Sequence, residues 1–358
     1  MKHEGIKVKA KKANKIHAFL AEAKLLNKKM RPLRGKDFVV FPLARKPNAG
    51  EGAEIKKIIQ TQKQFDSFLV RQDFEARVTK PRSLRSALQG KMKKGEIEEV
   101  TRAFDSLGDI AVIEIPRGLG EKEKLIAEAL MRAHPQIKTV LKKAGVRSGE
   151  FRVQGLKVIG GEKKFRAHYI EHGCKFVVDL DKVFFTPRLG TERGRIAGLI
   201  RKGETVSVLF AGVGPYAVVF AKHSQPDKIF AVELNPDAVR NMKANIELNK
   251  VQTVVVPVEG DVRKIAPTLL YGTSDRVVMP LPKTGEDFLQ EALMCLKPEG
   301  GVVHFYTFGD VGKPYDAAVE AAKRACKAAG KKCEILRKAK CRSYSPETVQ
   351  IVVDFSAK

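Results

Sequence analysis

The chain has 358 residues, 43% of them hydrophobic, which excludes a disordered chain and leaves room for two or three domains with a buried core. Lys and Arg total 67 against 41 Asp and Glu, a formal net charge of +26. A solubilising lysine-rich surface would account for part of this surplus, but its size points to a polyanionic partner. A membrane is not that partner. The start is polar and basic rather than an apolar leader, and the most apolar stretch, 206–221, is interrupted by Gly212, Gly214 and Pro215. The five cysteines, Cys174, Cys295, Cys326, Cys333 and Cys341, are odd in number and show no C-x-x-C spacing. No metal site, disulfide framework or catalytic thiolate is expected, and a reduced, cytoplasmic setting fits.

In chain order, residues 14–27 place Ile16, Phe19, Leu20, Ala23 and Leu26 at helical spacing, and 37–43 read as a strand. Before position 35 there are eleven Lys or Arg and two Glu, so this small module offers a phosphate-binding surface. Residues 45–64 read as a linker opening on Pro, Asn and Gly. Helical segments between 83 and 105, a buried strand at 109–116, a helix at 121–134 and strands at 138–142, 150–158 and 165–170 describe a mixed α/β middle domain. From about 176 strand and helix alternate regularly. Strands are expected at 206–210, 228–234, 253–258, 275–279 and 301–308, with helices at 215–222, 236–248 and 285–296. A helix at 315–329 then precedes strands at 332–340 and 348–355. This predicts a doubly wound, mainly parallel sheet of the Rossmann-like kind closed by an antiparallel hairpin, as in class I methyltransferases. The partition is 1–65, a small basic N-terminal domain with its linker; 66–175, the middle domain; and 176–358, the sheet domain.

Four strand ends carry the chemistry. The first leads through Phe210, Ala211, Gly212, Val213, Gly214 and Pro215 into an apolar helix, and the glycines let a ligand approach the backbone beside a helix N-terminus. A third glycine of the dinucleotide pattern is missing. The second strand ends in Glu233, 21 residues beyond Gly212, where a carboxylate can accept both ribose hydroxyls of an adenosine; an isolated surface glutamate would look the same. The third ends at Asp261, within reach of an adenine amino group, and the fourth at Pro280-Leu281-Pro282. Alone each is weak; four in order at one edge form a site. The glycine turn holds no Lys or Arg for phosphate, so it suits S-adenosyl-L-methionine better than NAD or ATP.

Together Phe210 to Tyr216, Glu233-Leu-Asn-Pro236, Gly260-Asp-Val-Arg263 and Phe185-Thr-Pro-Arg-Leu-Gly-Thr-Glu-Arg193 resemble the tRNA (guanine-N1-)-methyltransferases of the archaeal and eukaryotic type. The resemblance spans essentially the whole chain, and the Pro187 to Arg193 stretch is its most specific part. It implies methyl transfer from S-adenosyl-L-methionine to N1 of guanosine 37 in tRNA. It also implies an N-terminal domain on the tRNA elbow and a RNA-binding, monomeric enzyme with no protein partner. N1 carries a proton, so the reaction needs a base and a cation or donor near O6. By this resemblance Glu192 is the general base, Arg152 stabilises the O6 side, and Arg188 positions Glu192 or holds RNA. Without the motif, Arg188 and Glu192 would read as an exposed i, i+4 ion pair.

At the fourth strand end the family usually has Asn-x-Pro, where this chain has Pro280, which has no side-chain donor. The nearest alternative is the related aminocarboxypropyl transferase of wybutosine synthesis. An alternative of another class is a tRNA-binding protein with weak or no catalysis.

Overall fold

The computed structural model describes residues 2–75, 81, 83–101, 103–144 and 155–358. The chain divides into two units, Met1–Pro81 and Arg82–Lys358.

The first unit is an antiparallel sheet in the order β2-β3-β1-β4, formed by β1 (His3–Lys9), β2 (Leu33–Arg34), β3 (Phe38–Pro42) and β4 (Leu69–Gln72). In β1 Ile6 and Val8 point inward and Lys7 and Lys9 outward, the two-residue period of a half-buried strand. Helices α1 (Ala13–Glu22) and α2 (Ala49–Ile59) bring Ile16, Leu20 and Ile55 onto that face. The stretch expected as a linker therefore contains a helix. Its cause is a capping box: Asn48 Oδ1 accepts the Glu51 N–H at 2.9 Å, and Glu51 Oε2 accepts the Asn48 N–H at 2.9 Å. The Arg45 guanidinium clamps Glu51 and, with the Asn48 N–H, holds its carboxyl down to about 2. The N-terminal sheet also extends past position 65, since β4 pairs with β1.

In the second unit α3 (Leu84–Leu88), α4 (Lys94–Glu99), β5 (Asp105–Leu107), β6 (Ile110–Ile113), α5 (Glu123–Ala133), β7 (Thr139–Lys143) and β8 (Leu156–Gly161) form a sheet of order β5-β6-β7-β8. Leu84 and Leu88 of α3 join Ile126 and Leu130 of α5 in the core over that sheet. A hairpin follows, β9 (Arg166–Glu171) and β10 (Cys174–Asp179), so the domain boundary expected at 175 falls inside a strand.

The remaining elements are α6 (Gly190–Ala197), β11 (Thr205–Leu209), α7 (Pro215–His223), β12 (Lys228–Glu233), α8 (Pro236–Leu248), β13 (Val255–Glu259), α9 (Val262–Ile265), β14 (Arg276–Met279), α10 (Leu289–Cys295), β15 (Gly301–Asp310), α11 (Asp316–Ala328), β16 (Cys333–Ser343) and β17 (Thr348–Ala357). Seven of these strands form one sheet in the order β13-β12-β11-β14-β15-β17-β16. The first five run parallel, and β17 is antiparallel to both neighbours. This is the doubly wound sheet with a terminal antiparallel hairpin read from the sequence. Its strands are apolar because helices cover both faces: Val206, Val208, Ile229, Ala231, Val277 and Val278 are all fully buried.

The hairpin is attached to the sheet domain by a column of side chains. Asn241 and Asn245 of α8 and Asn249 at its C-cap recur at four-residue spacing, which places them on one face. Their Oδ1 atoms accept the backbone N–H groups of Asp179 (2.8 Å), Val177 (2.7 Å) and Lys175 (2.9 Å), alternate residues of β10. Asn245 and Asn249 also donate back to the Val177 and Lys175 carbonyls. A helical turn and two strand residues advance by nearly the same length, about 6 Å, so a helix face substitutes here for a neighbouring strand.

Candidate active site

The parallel order puts the C-terminal ends of β11, β12, β13 and β14 on one edge. After β11 the chain turns through Phe210, Gly212 and Gly214, all with positive φ (60°, 57° and 82°). Gly214 is required twice over. Its φ suits glycine, and a Cβ there would lie 2.8 Å from Met242 Cγ. Over Gly212 a Cβ would meet nothing nearer than the Phe184 carbonyl at 3.9 Å, so the turn has open space above it. Ala211 and Pro215 are buried, and Pro215 opens α7. Phe210 meets Phe288 edge-on at 4.8 Å, and the Arg263 guanidinium lies 4.4 Å from the Phe288 ring.

Glu233, at the end of β12, is half-buried and reaches back to this turn. Its Oε2 accepts the Gly212 N–H at 2.7 Å and its Oε1 the Asn235 N–H at 2.9 Å. Burial raises its carboxyl above the ordinary value despite these donors. Asp261 caps α9, accepting the Arg263 N–H at 2.9 Å, and Pro280 and Pro282 follow β14, half-buried. All four sequence-predicted strand ends therefore meet at one edge. The set fits an adenosine ligand: a turn backbone left uncovered by side chains at Gly212, a carboxylate for ribose hydroxyls, and no cation in the turn.

Glu192 lies on α6 and is only 9% exposed. It is tied to the glycine turn through two tyrosines. Tyr306 of β15 donates its hydroxyl to Glu192 Oε2 at 3.0 Å, and the Tyr306 ring lies 6.0 Å from that of Tyr216, two residues beyond Gly214. Burial raises both phenols, so they stay neutral. The cation on Glu192 is Arg195, at 2.8 Å from Oε2, and not Arg188. Arg188 is exposed and pairs with Asp105 of β5 at 2.6 Å, so Arg188 and Glu192 do not pair with each other. Arg152 lies outside the described residues.

Several residues here had no part in the sequence reading. Arg193, quoted only as the end of the motif, is 2% exposed and pairs with Glu171 of β9 at 2.5 and 2.6 Å. Arg195 and Tyr306 bond to Glu192, and Asp354 and His304 continue the chain of polar groups beyond Arg195. For His304, Tyr306 and Asp354 the signal was present as polar residues inside the apolar runs of β15 and β17. Phe184, 40% exposed with its carbonyl beside Gly212, is an aromatic at the mouth of the turn. A separate cavity of about 920 Å³ lies along α6 and the β9–β10 hairpin, lined by His172, Arg188, Gly194 and His223 among others; no residue of the glycine turn lines it. Among the described residues no group of side chains could hold a metal ion, and no helix is long and apolar enough to cross a membrane.

The chain is similar to known proteins. A family model of the TRM5/TYW2 methyltransferase domain matches residues 167–336, one of the TYW2 N-terminal domain matches 84–164, and one of the tRNA methyltransferase 5 N-terminal domain matches 5–51. Over 354 residues the chain is 32% identical to the tRNA (guanine(37)-N(1))-methyltransferase Trm5b of Methanocaldococcus jannaschii, covering 98% of this chain and 97% of that protein. The chain belongs to the Trm5 family of tRNA methyltransferases. It is also 39% identical over 253 residues to Trm5b of Pyrococcus abyssi, covering 71% of this chain and 74% of that one. Among solved structures, the complex of aTrm5 and tRNALeu superposes with a TM-score of 0.83 at 30% identity over 99% of both chains. The Trm5-type match in residues 5–51 falls on the basic N-terminal unit.

Proposed function

We propose that the chain methylates N1 of guanosine 37 in tRNA, with S-adenosyl-L-methionine as donor. The observation that carries the reading is the joining of Glu192, through Tyr306 and Tyr216, to the glycine turn whose Gly212 amide Glu233 accepts. When bound, S-adenosyl-L-methionine supplies an electrophilic methyl group. Gly212, Gly214 and the Ala211 to Pro215 backbone would lie along the donor, Glu233 would take its ribose hydroxyls, and Asp261 and the Pro280–Pro282 backbone would face its adenine. Glu192 takes the proton from N1, which leaves the ring nitrogen with a pair for the methyl group. Arg152 serves O6, where negative charge collects as that proton departs. Arg188, exposed and paired with Asp105 through Nε, would turn its outer nitrogens to RNA phosphate. The excess of Lys and Arg supplies the long-range attraction, so tRNA binding should weaken steeply with salt.

Nucleoside mass spectrometry of tRNA incubated with the protein and isotopically labelled donor tests the proposal. The expected result is one labelled 1-methylguanosine, absent from tRNA lacking guanosine 37 and absent with Glu192→Gln. A heavier aminocarboxypropyl adduct would replace the reading with the wybutosine-type transfer. Tight tRNA binding without any product would replace it with a binding protein.

A further inference from the structure

Glu192 stands at one end of a buried chain of polar groups that crosses three strands of the sheet. Arg195 spans two carboxylates: its Nη2 and Nε reach Glu192 Oε2 at 2.8 and 3.0 Å, and its Nη1 reaches Asp354 Oδ2 at 2.6 Å. Asp354 Oδ1 meets His304 Nδ1 at 2.6 Å, and His304 Nε2 meets Arg276 Nη1 at 2.8 Å. Arg276 in turn holds both oxygens of Glu204, at 2.8 and 3.0 Å.

Hydrogen-bond logic fixes the charge of this chain. A guanidinium only donates, so His304 Nε2 must accept and carries no proton. The hydrogen of His304 is therefore on Nδ1, donated to Asp354, and the imidazole is neutral. Burial, with Arg276 and Arg195 nearby, pushes His304 in the same direction against the pull of Asp354. Burial alone would raise the Asp354 carboxyl, but His304 and Arg195 outweigh it and hold it low. Three carboxylates (Glu192, Asp354, Glu204) then face two guanidiniums (Arg195, Arg276), so the chain carries one uncompensated negative charge.

The same bonds decide where a proton can be added. His304 Nε2 is covered by Arg276. Asp354 accepts at both oxygens, and Glu204 is held at both. On Glu192, Oε2 accepts from Arg195 and Tyr306, whereas Oε1 has among the described residues one long contact, 3.1 Å to Arg195 Nε. The remaining titratable groups about Glu192 are neutral or compensated. Burial raises Tyr306, Tyr216 and, to about 12, Cys341, and Arg193 is matched by Glu171. Arg195 and Asp354 are thus the charges that act on it among the described residues.

We propose that Arg195, Asp354 and Tyr306 are positioning residues that present Glu192 Oε1 as the proton-accepting atom, with Asp354 setting how strongly it accepts by sharing the charge of Arg195. The inference rests on the reading of Glu192 as the base. The proton leaves N1 and arrives on Oε1, its electron pair stays on the ring, and the buried chain passes from one net negative charge to none. As Glu192 is neutralised, Arg195 keeps a full partner in Asp354, so no buried cation is stranded.

The test is the single-turnover rate of methyl transfer against pH, using the full chain, tRNA and labelled donor. The unmodified protein should show a rate rising with pH to a plateau. Asp354→Asn leaves the whole charge of Arg195 on Glu192, so the acidic limb should move to lower pH and the plateau fall by at most about tenfold, the Brønsted limit for one unit of basicity. Arg195→Gln should move the limb to higher pH. Tyr306→Phe, which keeps the ring in place, should move it the same way by less. Donor and tRNA affinities should stay within about twofold. Limbs that stay fixed, or that move together in Asp354→Asn and Arg195→Gln, overturn the proposal whatever the loss of rate. If Asp354→Asn does not fold, an unmoved limb in Tyr306→Phe overturns it alone. Full activity in Glu192→Gln would instead remove the base assignment beneath it.

Discussion

Replacing Asn245 by alanine should remove a large part of the stability of residues 82–358 without touching the sheet itself. Asn245 is fully buried and makes three bonds: Oδ1 accepts the Val177 N–H at 2.7 Å, and Nδ2 donates to the Val177 and Val213 carbonyls at 3.1 and 2.9 Å. Alanine leaves one buried N–H and two carbonyls with a partner gone. An orphaned buried polar group costs about 1–3 kcal/mol, and the carbonyls retain a second lone pair, so a total of about 3–5 kcal/mol is expected. The chain has no tryptophan, so unfolding by urea is best followed by far-ultraviolet circular dichroism. Hydrogen exchange gives the site-specific readout: the Val177 amide should lose protection before those of Val206 and Val208 in β11. A loss below about 1 kcal/mol, with the Val177 amide still protected, would refute the idea that the asparagine column holds the hairpin.

Three further outcomes follow from the site. Glu171→Gln strips the buried Arg193 of its counter-charge and should cost about 3–5 kcal/mol in thermal unfolding, part of which returns when Arg193→Met is added. Gly214→Ala forces a positive φ on alanine and pushes on Met242; calorimetry should show S-adenosyl-L-methionine binding weakened at least tenfold, and unchanged binding would show that the turn can relax. Burial raises the Glu233 carboxyl, so the fold takes up its proton at higher pH than the unfolded chain, and ionising it costs stability as the pH rises through the raised value. Donor affinity should correspondingly fall as pH drops through that value, and the same titration of Glu233→Gln should be weak and flat.

The sheet was legible because its strands are short apolar runs separated by amphipathic helices. The Asn235-Pro236 start even fixes α8, at 236–248 in both readings. The glycine turn and Glu233 were legible because their chemistry is local. What escaped notice depends on partners far along the chain. The stretch 45–64 reads as polar linker until Asn48 and Glu51 are recognised as a reciprocal cap. Strand β1 carries lysine at Lys7 and Lys9 between its apolar residues, within a run of basic residues that reads as solvated surface. Strand β10 has asparagine side chains along one edge, which no local pattern announces. Likewise Arg188 and Glu192 share a helical spacing, yet Asp105 takes Arg188 from 83 residues away and Arg195 takes Glu192. An i, i+4 spacing permits a pair, and the surrounding charges decide it.

The helix that carries Glu192 is a weak helix by composition. It has eight residues, begins at Gly190, contains Gly194 and is followed by Gly198. Each interior glycine lowers helix stability by about 1 kcal/mol relative to alanine, and eight residues are too few to persist in water. The glycines are needed because a Cβ at Gly190 would lie 2.8 Å from Glu171 Oε2, and one at Gly194 would lie 2.7 Å from the His172 ring. α6 therefore owes its existence to what packs against it: the hairpin on one side, and on the other α7 with the bonds of Glu192 to β15 and Arg195 to β17. With the hairpin it should open as one cooperative unit. On warming, the base would be lost with that unit while the seven-stranded sheet still stands, so inactivation should precede melting and reverse on cooling.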